Sequence, residues 1–259
     1  VPFERQGNSL IVTAQVNNRP LPMIFDTGAA MMAFGKNNLD TVGLPHPTGR
    51  PAGQAHGVGD GGAQNVWDMT ADVRLGPIER KRFPISVQEV MPGPPLLGQT
   101  FFQDFKYTID NGANTIHFIK KSKVGGSIYD TGARDPNSLP FVRRGNEMYV
   151  EARVNGKPTQ FIFDTGAEMT MLSRSQMSQL GISVPADAQV GTMTGIAGSS
   201  KAYFFNVDRM QAGPIDQRDV MVSCNERDNL PCGLLGQSFF KDWQYSIDYT
   251  NNRIKFLRR

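Results

Sequence analysis

The sequence predicts an all-β protein made of two similar lobes, each with one or two short helices. Three observations lead to this prediction. The second half repeats the first at an offset of 138 residues, strand-like segments alternate with turn residues, and an apolar run ending in Asp-Thr-Gly-Ala stands at 23–29 and again at 161–167. With 259 residues, 39% of them apolar, the chain is long enough to give each lobe a core.

The repeat extends through most of each half. The matched pairs include Val12 and Val150, Pro20 and Pro158, Gly43 and Gly181, Leu96-Leu97-Gly98-Gln99 and Leu234-Leu235-Gly236-Gln237, and Phe101-Phe102 and Phe239-Phe240. The stretch between the copies is rich in Gly, Ser, Lys and Asp, as linkers are. We therefore predict an N-terminal lobe over 1–118, a linker over 119–140 and a C-terminal lobe over 141–259.

Each lobe is predicted to open with a strand, 10–16 in the first and 148–154 in the second. The residues that follow, Asn17-Asn18 and Asn155-Gly156, favour the positive φ angles of a tight hairpin. A second strand then runs into each Asp-Thr-Gly. Two further strands are expected in each lobe before Leu-Leu-Gly, a brief helix with the Phe pair and a closing hairpin; these strands are 73–75, 85–87, 207–210 and 220–222.

A longer helix is predicted in the second lobe from its two ends. Ser173 and Gln176 form the capping-box pattern Ser-x-x-Gln, and Gly181 marks the stop. Met177 and Leu180 supply an apolar face between them. Because such helices are short, the class stays all-β.

Composition and charge exclude several functions. A net charge of +3 on 27 basic and 24 acidic residues is too small and too mixed to indicate a nucleic acid or an anionic membrane as partner. No apolar run approaches the roughly 18 residues of a membrane span. The two cysteines and three histidines have no zinc-site spacing, so no metal is expected.

Two features leave the cellular compartment open. Cys224 and Cys232 could close a small loop as a disulfide in an oxidising compartment, or remain two buried thiols. The chain opens at Val1, so either a signal peptide has been removed or the sequence was trimmed. We expect a periplasmic or secreted location rather than a cytoplasmic one.

The chemistry is predicted from the two carboxylates of the repeated motif. Asp26 and Asp164 each follow three strand-forming hydrophobes, which places each acid where a strand leaves the core. Two such acids in matching contexts suggest a facing pair. Paired carboxylates that share one proton carry out acid–base peptide hydrolysis.

A third Asp-Thr-Gly-Ala, at Asp130, is interpreted as a turn of the linker. Gly and Ser precede it instead of an apolar strand. Both other copies have Leu-Leu-Gly 70 residues on, from 26 to 96 and from 164 to 234, whereas Ser200 lies 70 residues beyond Asp130.

Asp-Thr-Gly-Ala with a later Leu-Leu-Gly resembles the aspartic protease signature, and the two similar halves resemble a fused retroviral-type (retropepsin) dimer. The resemblance implies an acid-protease fold of two retropepsin-like β-barrel lobes with the active site between them. Asp26 and Asp164 would form the catalytic dyad of an endopeptidase without cofactor, acting on polypeptides as a monomer. Thr27 and Thr165 would hydrogen-bond across the lobes, and Gly28 and Gly166 would leave room for substrate. The alternative is a non-catalytic peptide-binding protein on the same scaffold.

Two glycine-rich stretches are interpreted as flaps over the substrate. They are Gly57-Val58-Gly59 in the first half and Gly195-Ile196-Ala197 in the second. The first stretch continues to Gly62 and has the spacing of a dinucleotide-binding fingerprint, but it neither follows an apolar strand nor opens a helix. A plain surface loop is the other alternative.

The chain departs from the retropepsin pattern at two places. Many retropepsins pair an Asp directly after Asp-Thr-Gly-Ala with an Arg after the downstream Gly, whereas this chain has Ala30 or Glu168 at the first place and Gln99 or Gln237 at the second. We expect Glu168 to contact substrate. Two alternatives stay open for the glutamines: Gln237 hydrogen-bonds with Glu168, or both glutamines cap the helices that follow. The nearby methionines could line the cleft or belong to the core; they are Met23, Met31, Met32, Met169 and Met171.

Overall fold

The computed structural model describes residues 1–55, 63–120, 135–195, 198–227 and 230–258. The strands of the first half are β1 (Glu4–Gln6), β2 (Ser9–Val16), β3 (Arg19–Phe25), β4 (Ala33–Gly35), β5 (Gly53–Ala55), β6 (Gln64–Leu75), β7 (Ile78–Gln88), β8 (Leu96–Leu97), β9 (Phe105–Asp110) and β10 (Thr115–Lys120). Its helices are α1 (Lys36–Val42) and α2 (Gln99–Phe102).

The second half repeats this order, except that Met171, the repeat equivalent of Ala33 in β4, forms only isolated bridges. Its strands are β11 (Ser138–Arg144), β12 (Glu147–Val154), β13 (Lys157–Phe163), β14 (Gln189–Gly195), β15 (Gly198–Ala212), β16 (Ile215–Asn225), β17 (Gly233–Leu235), β18 (Trp243–Asp248) and β19 (Arg253–Arg258). Its helices are α3 (Arg174–Leu180) and α4 (Gln237–Phe240). The prediction of a two-lobed all-β fold with short helices is confirmed.

The opening hairpins form where the turn residues predicted them. Strands β2 and β3 pair antiparallel, as do β12 and β13. Asn17 and Asn18 have φ angles of 49° and 64°, and Asn155 and Gly156 have 50° and 81°. Positive φ at both turn positions matches the twist of the flanking strands. Each hairpin therefore delivers its second strand, and the Asp-Thr-Gly at its end, into the core.

Helix α3 has the ends that its sequence predicts. Ser173 accepts a hydrogen bond from the backbone N–H of Gln176, and the Gln176 side chain accepts one from the N–H of Ser173. Gly181 ends the helix in the left-handed conformation at φ 71°. The capping box and glycine stop are thus both present.

Strands β6, β7, β15 and β16 extend well beyond the short apolar runs that predicted them. Strand β15, for example, covers 15 residues, whereas the sequence indicated four of them. These strands form long antiparallel pairs whose other face is partly exposed and therefore carries polar residues. An apolar-run criterion finds only the buried part of such strands.

The two halves join through their closing hairpins. The 11-stranded sheet begins β10-β9-β18-β19-β11, so the hairpin β9–β10 of the first half lies in the same sheet as the second half. In the pairing of β9 with β18, Tyr107 faces Ile247 and Ile109 faces Tyr245. Because these residues are repeat equivalents, this pairing obeys an approximate two-fold axis.

The core is continuous across both halves, since one cluster of buried apolar residues runs through them. Its repeated feature is a stacked phenylalanine pair, Phe25 on Phe102 and Phe163 on Phe240, each with ring centroids 4.4 Å apart. Each pair joins the strand before Asp-Thr-Gly to the helix after Leu-Leu-Gly. These aromatic contacts fix the two motifs relative to each other within each half.

The predicted linker and cysteines can be compared with the described residues. Strand β10 ends at Lys120 and β11 begins at Ser138, so both ends of the predicted linker lie in strands, while 121–134, including Asp130, lie outside the described residues. The residue bounds of the lobes and of the linker stay a prediction. Cys224 and Cys232 form no disulfide in the described structure, and both side chains are buried.

Candidate active site

The two aspartates lie at the ends of equivalent strands at the junction of the halves. Asp26 follows β3 and Asp164 follows β13, and each of these strands pairs in parallel with the strand of Leu-Leu-Gly. The N–H of Asp26 donates to Leu97 O at 3.1 Å, and that of Asp164 donates to Leu235 O at 3.1 Å. Both residues are buried, with 7% and 8% of their surface exposed.

Backbone N–H groups hold each carboxylate. Oδ1 of Asp26 accepts from the N–H groups of Gly28 and Ala29 at 2.7 and 2.8 Å. Oδ1 of Asp164 accepts from those of Gly166 and Ala167 at 2.8 and 3.2 Å. These donors stabilise the ionised form of either acid and fix its orientation.

Thr27 and Thr165 connect the two loops, as predicted. The hydroxyl of Thr27 donates to Phe163 O at 2.9 Å and accepts from the N–H of Thr165 at 2.9 Å. Reciprocally, the hydroxyl of Thr165 donates to Phe25 O at 2.6 Å and accepts from the N–H of Thr27 at 3.0 Å. Four buried hydrogen bonds thus tie the two aspartate loops to each other.

The glycines of the motif allow the carboxylates to come together. A Cβ atom on Gly28 would lie 2.4 Å from Cγ of Asp164, and one on Gly166 would lie 2.4 Å from Cγ of Asp26. Either methyl group would push the opposite acid away. Glycine is therefore required here by the facing carboxylate, in addition to any room that it leaves for substrate.

The glycine of Leu-Leu-Gly permits a second close approach. A Cβ atom on Gly98 would lie 2.1 Å from Met31 O, and one on Gly236 would lie 2.4 Å from Met169 O. The residues after these glycines then bind the aspartate loops, because the N–H of Gln99 donates to Ala29 O and that of Gln237 to Ala167 O. The spacing of the two motifs thus has a direct structural reason.

Burial raises the pKa of both acids. For Asp26 the main cause is loss of hydration, followed by the repulsion of the Asp164 charge. The pKa of Asp164 is also raised by burial, against the hydrogen bonds that it accepts. Two close carboxylates in a buried site resist double ionisation, so the pair retains one proton to higher pH than a lone aspartate does.

Both expectations for Gln99 and Gln237 are wrong. Neither side chain caps its helix, and the amide of Gln237 hydrogen-bonds with Thr165 O and Tyr245 rather than with Glu168. Gln99 donates from Nε2 to Thr27 O at 2.9 Å. Because each glutamine is buried at the first helical position, its side chain turns inward onto the aspartate loop instead of outward onto free N–H groups.

Glu168 lies at the boundary of the two halves. Its Oε1 accepts from the hydroxyl of Ser9 at 3.3 Å, its backbone carbonyl accepts from the Asn8 amide at 3.1 Å, and its carboxylate packs against Gly7. These contacts join the aspartate loop of the second half to the β1–β2 turn of the first. A role of Glu168 in substrate binding stays a prediction.

The predicted flap residues fall mostly outside the described residues, which exclude Gly57, Val58, Gly59, Ile196 and Ala197. The strands on either side of them pair antiparallel, β5 with β6 and β14 with β15. Gly195 ends β14 opposite Gly198. The second of these hairpins is longer, with seven paired positions against three.

Each aspartate loop borders a small apolar cluster. Ala29 packs against a cluster of Ala33, Met91 and Leu96, and Ala167 against a larger one of Tyr149, Ile162, Met171, Cys232 and Leu234. Strand β14 contributes Met193 to the second cluster. Of the five methionines that could line the cleft, Met23, Met32 and Met171 are buried and Met31 is the most exposed.

Sequence reasoning missed Tyr107 and Tyr249, which lie behind Gln99. The hydroxyl of Tyr249 donates to Gln99 Oε1 and lies 3.3 Å from the Tyr107 hydroxyl. The repeat itself carried a signal, because Asn111 stands in the first half where Tyr249 stands in the second. Within the described ranges, no cluster of three or more His, Cys, Asp or Glu side chains is placed to hold a metal ion.

Two lobes of the same β fold that meet at a pair of aspartate loops are the fold of the retropepsin-like aspartic proteases, duplicated in tandem. The sequence model of the family described as gag-polyprotein putative aspartyl protease matches residues 12–104 and again 150–242. The chain belongs to this family and contains its unit twice.

Two similar proteins place this family in context. DNA damage-inducible protein 1 of Yarrowia lipolytica (strain CLIB 122 / E 150) is 25% identical over 150 residues, which are 56% of this chain and 36% of that protein. The match thus spans about a third of that relative's length. The crystal structure of a retropepsin-like aspartic protease from Rickettsia conorii is 21% identical, covers 46% of this chain and 87% of that one, and has a TM-score of 0.39.

Proposed function

We propose that this protein is an endopeptidase in which Asp26 and Asp164 together activate a water molecule to hydrolyse a peptide bond. The observation that supports this most directly is the meeting of the two buried carboxylates, each across from the glycine of the other loop. The reciprocal Thr27–Thr165 hydrogen bonds make their relative position rigid. Such preorganisation is what acid–base catalysis requires.

The raised pKa values suit the pair to its two roles. With one proton shared, the ionised carboxylate removes a proton from the water while the protonated one donates to the carbonyl oxygen of the scissile bond. The resulting tetrahedral species collapses when the leaving nitrogen receives a proton from the pair. Neither step requires a group beyond the two acids and the water.

The substrate class follows from the surroundings of the pair. Apolar clusters border both aspartate loops, which favours apolar side chains on both sides of the scissile bond. The cluster of the second half also contains the Tyr149 hydroxyl and the Cys232 thiol, so the stricter apolar preference belongs to the side of the first half. The glycine-rich segments 57–59 and 195–197 are the candidates for covering the bound peptide.

The test is digestion of a peptide library with mass-spectrometric identification of the cleavage sites. Asp26→Asn and Asp164→Asn should each lower the cleavage rate by about 10²–10⁴-fold or more, because the one remaining carboxyl cannot act as general base and general acid at once. Asp130→Asn is the matched control, since it changes the same motif at a position that lacks the downstream Leu-Leu-Gly.

Three outcomes would contradict this proposal. They are normal turnover by either Asp26→Asn or Asp164→Asn, loss of activity in Asp130→Asn, and cleavage sites with charged residues on both sides. Peptide binding without cleavage by the unmodified protein would instead favour a peptide-binding protein on this scaffold.

A further inference from the structure

A buried chain of hydrogen bonds leads from the interface between the halves to Asp26. Tyr249, from the second half, donates its hydroxyl proton to Oε1 of Gln99 in the first. Because that proton is directed at Gln99, Tyr107 must be the donor in its 3.3 Å contact with the Tyr249 oxygen. Tyr107, Tyr249 and Gln99 are all buried.

The chain continues through one peptide unit to the carboxylate. Nε2 of Gln99 donates to the carbonyl oxygen of Thr27 at 2.9 Å. The N–H of the same peptide unit, that of Gly28, donates to Oδ1 of Asp26 at 2.7 Å. A donor on an amide oxygen polarises the amide and strengthens its N–H as a donor, so all the dipoles in this chain point toward Asp26.

The second half keeps only the last links of the equivalent chain, from Gln237 through the Thr165–Gly166 peptide to Asp164, and lacks the phenol that begins it. Nε2 of Gln237 lies 3.4 Å from Thr165 O and 3.5 Å from the Tyr245 hydroxyl, and within the described residues its buried Oε1 has no hydrogen-bond partner. Asn111 stands in the place of Tyr249 and binds elsewhere, with its amide donating to Trp243 O at 2.7 Å. Within the described residues, no phenol therefore donates to the Gln237 amide oxygen and strengthens its N–H as a donor to the loop of Asp164.

We propose that Gln99 and Tyr249 are positioning residues of the aspartate pair, which stabilise its ionised form through the Thr27–Gly28 peptide of the first half. Although the motif is duplicated, the two aspartate loops thereby contribute unequally to the ionised pair. We call the hydrogen-bond chain from Tyr107 and Tyr249 through Gln99 and the Thr27–Gly28 peptide the relay. The relay itself concerns only the ionisation of the pair, and its catalytic meaning rests on the proposed function.

The relay is built to keep its direction over the working pH range. Burial raises the pKa of Tyr249 to about 12 and that of Tyr107 well above its ordinary value, so both phenols keep their protons. The titratable or charged groups that face the relay and the pair are Asp164, Tyr245, Arg5 and Arg143, with Arg143 placed over the Tyr249 ring at 5.4 Å. Neither arginine hydrogen-bonds to the carboxylates in the described structure.

The decisive experiment titrates the aspartate carboxyl groups by NMR in protein labelled with ¹³C-aspartate. Tyr249→Phe should make the first ionisation of the pair about two- to fivefold weaker, because a donor to the charged form is lost. Tyr245→Phe is the matched control: it removes the phenol that contacts Gln237 in the second half, which is the repeat equivalent of Tyr107 and accepts from the Gln237 amide instead of donating to it, and it should leave that ionisation unchanged.

A second variant guards against a mere packing effect of Tyr249→Phe. Gln99→Met interrupts the same relay one step later and should give a similar weakening, while the double variant should add little to either single change. Equal weakening in Tyr245→Phe, or additive effects in the double variant, would overturn the relay.

Activity gives an independent readout. In Tyr249→Phe the acid limb of the kcat/KM profile should move to higher pH, by the shift that corresponds to the two- to fivefold weaker first ionisation. KM should be almost unchanged. An unmoved acid limb in an active, folded variant would refute the relay while leaving the endopeptidase proposal intact. Conversely, if the unmodified protein cleaves no peptide, the proposed function fails, and the NMR titration still decides the relay.

Discussion

At the residue scale, the two aspartates are buried acids that the backbone stabilises. Among the ion pairs of the described residues, none involves Asp26 or Asp164, whose partners are N–H groups of their own loops. Backbone donors fix the geometry without fully offsetting the loss of hydration, so the pKa of each acid rises. That imbalance is useful for catalysis and unfavourable for stability.

The stability consequence can be tested with Asp26→Asn. A carboxyl whose pKa is raised on folding binds its proton more tightly in the folded state, so the free energy of unfolding falls as pH rises from about 4 through the folded pKa. Asparagine remains neutral and keeps the acceptor for Gly28 and Ala29. We expect a Tm higher by roughly 2–8 °C at pH 7, about 1–2 kcal/mol, with the gain vanishing near pH 3.5.

Thermal unfolding followed by circular dichroism at the two pH values measures this difference. Asp110→Asn serves as the control, because that acid, at the end of β9, also accepts from two backbone N–H groups, those of Gly112 and Ala113. A Tm for Asp26→Asn that lies below that of the unmodified protein at pH 7 would contradict the assignment of a raised pKa.

A second residue-scale prediction concerns Ala29 and Ala167, which stand where pepsin-like enzymes usually carry Ser or Thr. Alanine offers no hydroxyl to the ionised pair, so we expect kcat/KM to be bell-shaped with a maximum at roughly pH 4.5–6.5. Ala29→Ser adds a donor to the charged form and should shift the alkaline limb to lower pH. The control is Ala30→Ser, because Ala30 is exposed. Ala14→Ser would not serve, because Ala14 is buried in the core strand β2.

An optimum near pH 2 would contradict this prediction. So would an alkaline limb that moves equally in Ala29→Ser and Ala30→Ser, because Ala30 is exposed whereas the N–H of Ala29 donates to Asp26. Initial rates on one identified peptide across the pH range provide the measurement.

The residues of the site divide into those that the sequence could predict and those that it could not. The Asp, Thr and Gly residues of the motif could be predicted because the motif occurs twice in matching sequence contexts. The contacts of Gln99 and Tyr249 could not be found from the motif, since they join residues 150 positions apart across the interface of the halves. Only the break in the repeat at Asn111 hinted at them.

At the scale of elements, local signals located the turns and helix ends and failed to give strand lengths. The Asn turns and the capping box depend on a few neighbouring residues, so sequence reading places them correctly. Strand length depends on partners far away in the chain: β6 and β15 continue wherever β7 and β16 can pair with them. A residue's own propensity carries little information about that.

The capping box of α3 provides an element-scale prediction. Ser173→Ala removes the acceptor for the N–H of Gln176 in a buried position and should lower the free energy of unfolding by about 1 kcal/mol. Because Gln176 of α3 hydrogen-bonds with Thr159 and Gln160 of β13 and with Gly233, and not with the aspartate loops, kcat and KM should be unchanged at a temperature where the variant is folded.

Urea unfolding measures the predicted loss in Ser173→Ala, and Ser175→Ala, inside the same helix and more exposed, is the control. Equal stability of the two variants would show that the capping box contributes nothing measurable. A fall in kcat would show instead that α3 is coupled to the site.

At the scale of the whole molecule, duplication places both halves of one site in a single chain. The closing hairpins share a sheet, the threonines cross between the loops, and Tyr249 and Glu168 each contact the other half. No helix among the described residues is long and apolar enough to cross a membrane. The symmetric scaffold carries unequal details, among them the two apolar clusters, the two hairpins and the relay to Asp26.

Because one chain supplies both aspartates, we expect it to act as a monomer. Specific activity should then be independent of dilution, whereas a dimeric enzyme loses activity as it dissociates. Sedimentation at the same concentrations serves as the control for the oligomeric state. Activity that falls on dilution together with dissociation would contradict this prediction.

The most direct test of the central claim, that the two halves of one chain form one active site, is active-site titration with a tight-binding statine peptide, a mimic of the tetrahedral species. We expect cleavage to fall linearly to zero at one inhibitor per chain, and Asp26→Asn and Asp164→Asn each to lose tight binding. An end point of one inhibitor per two chains, or tight binding that survives in either variant, would contradict it.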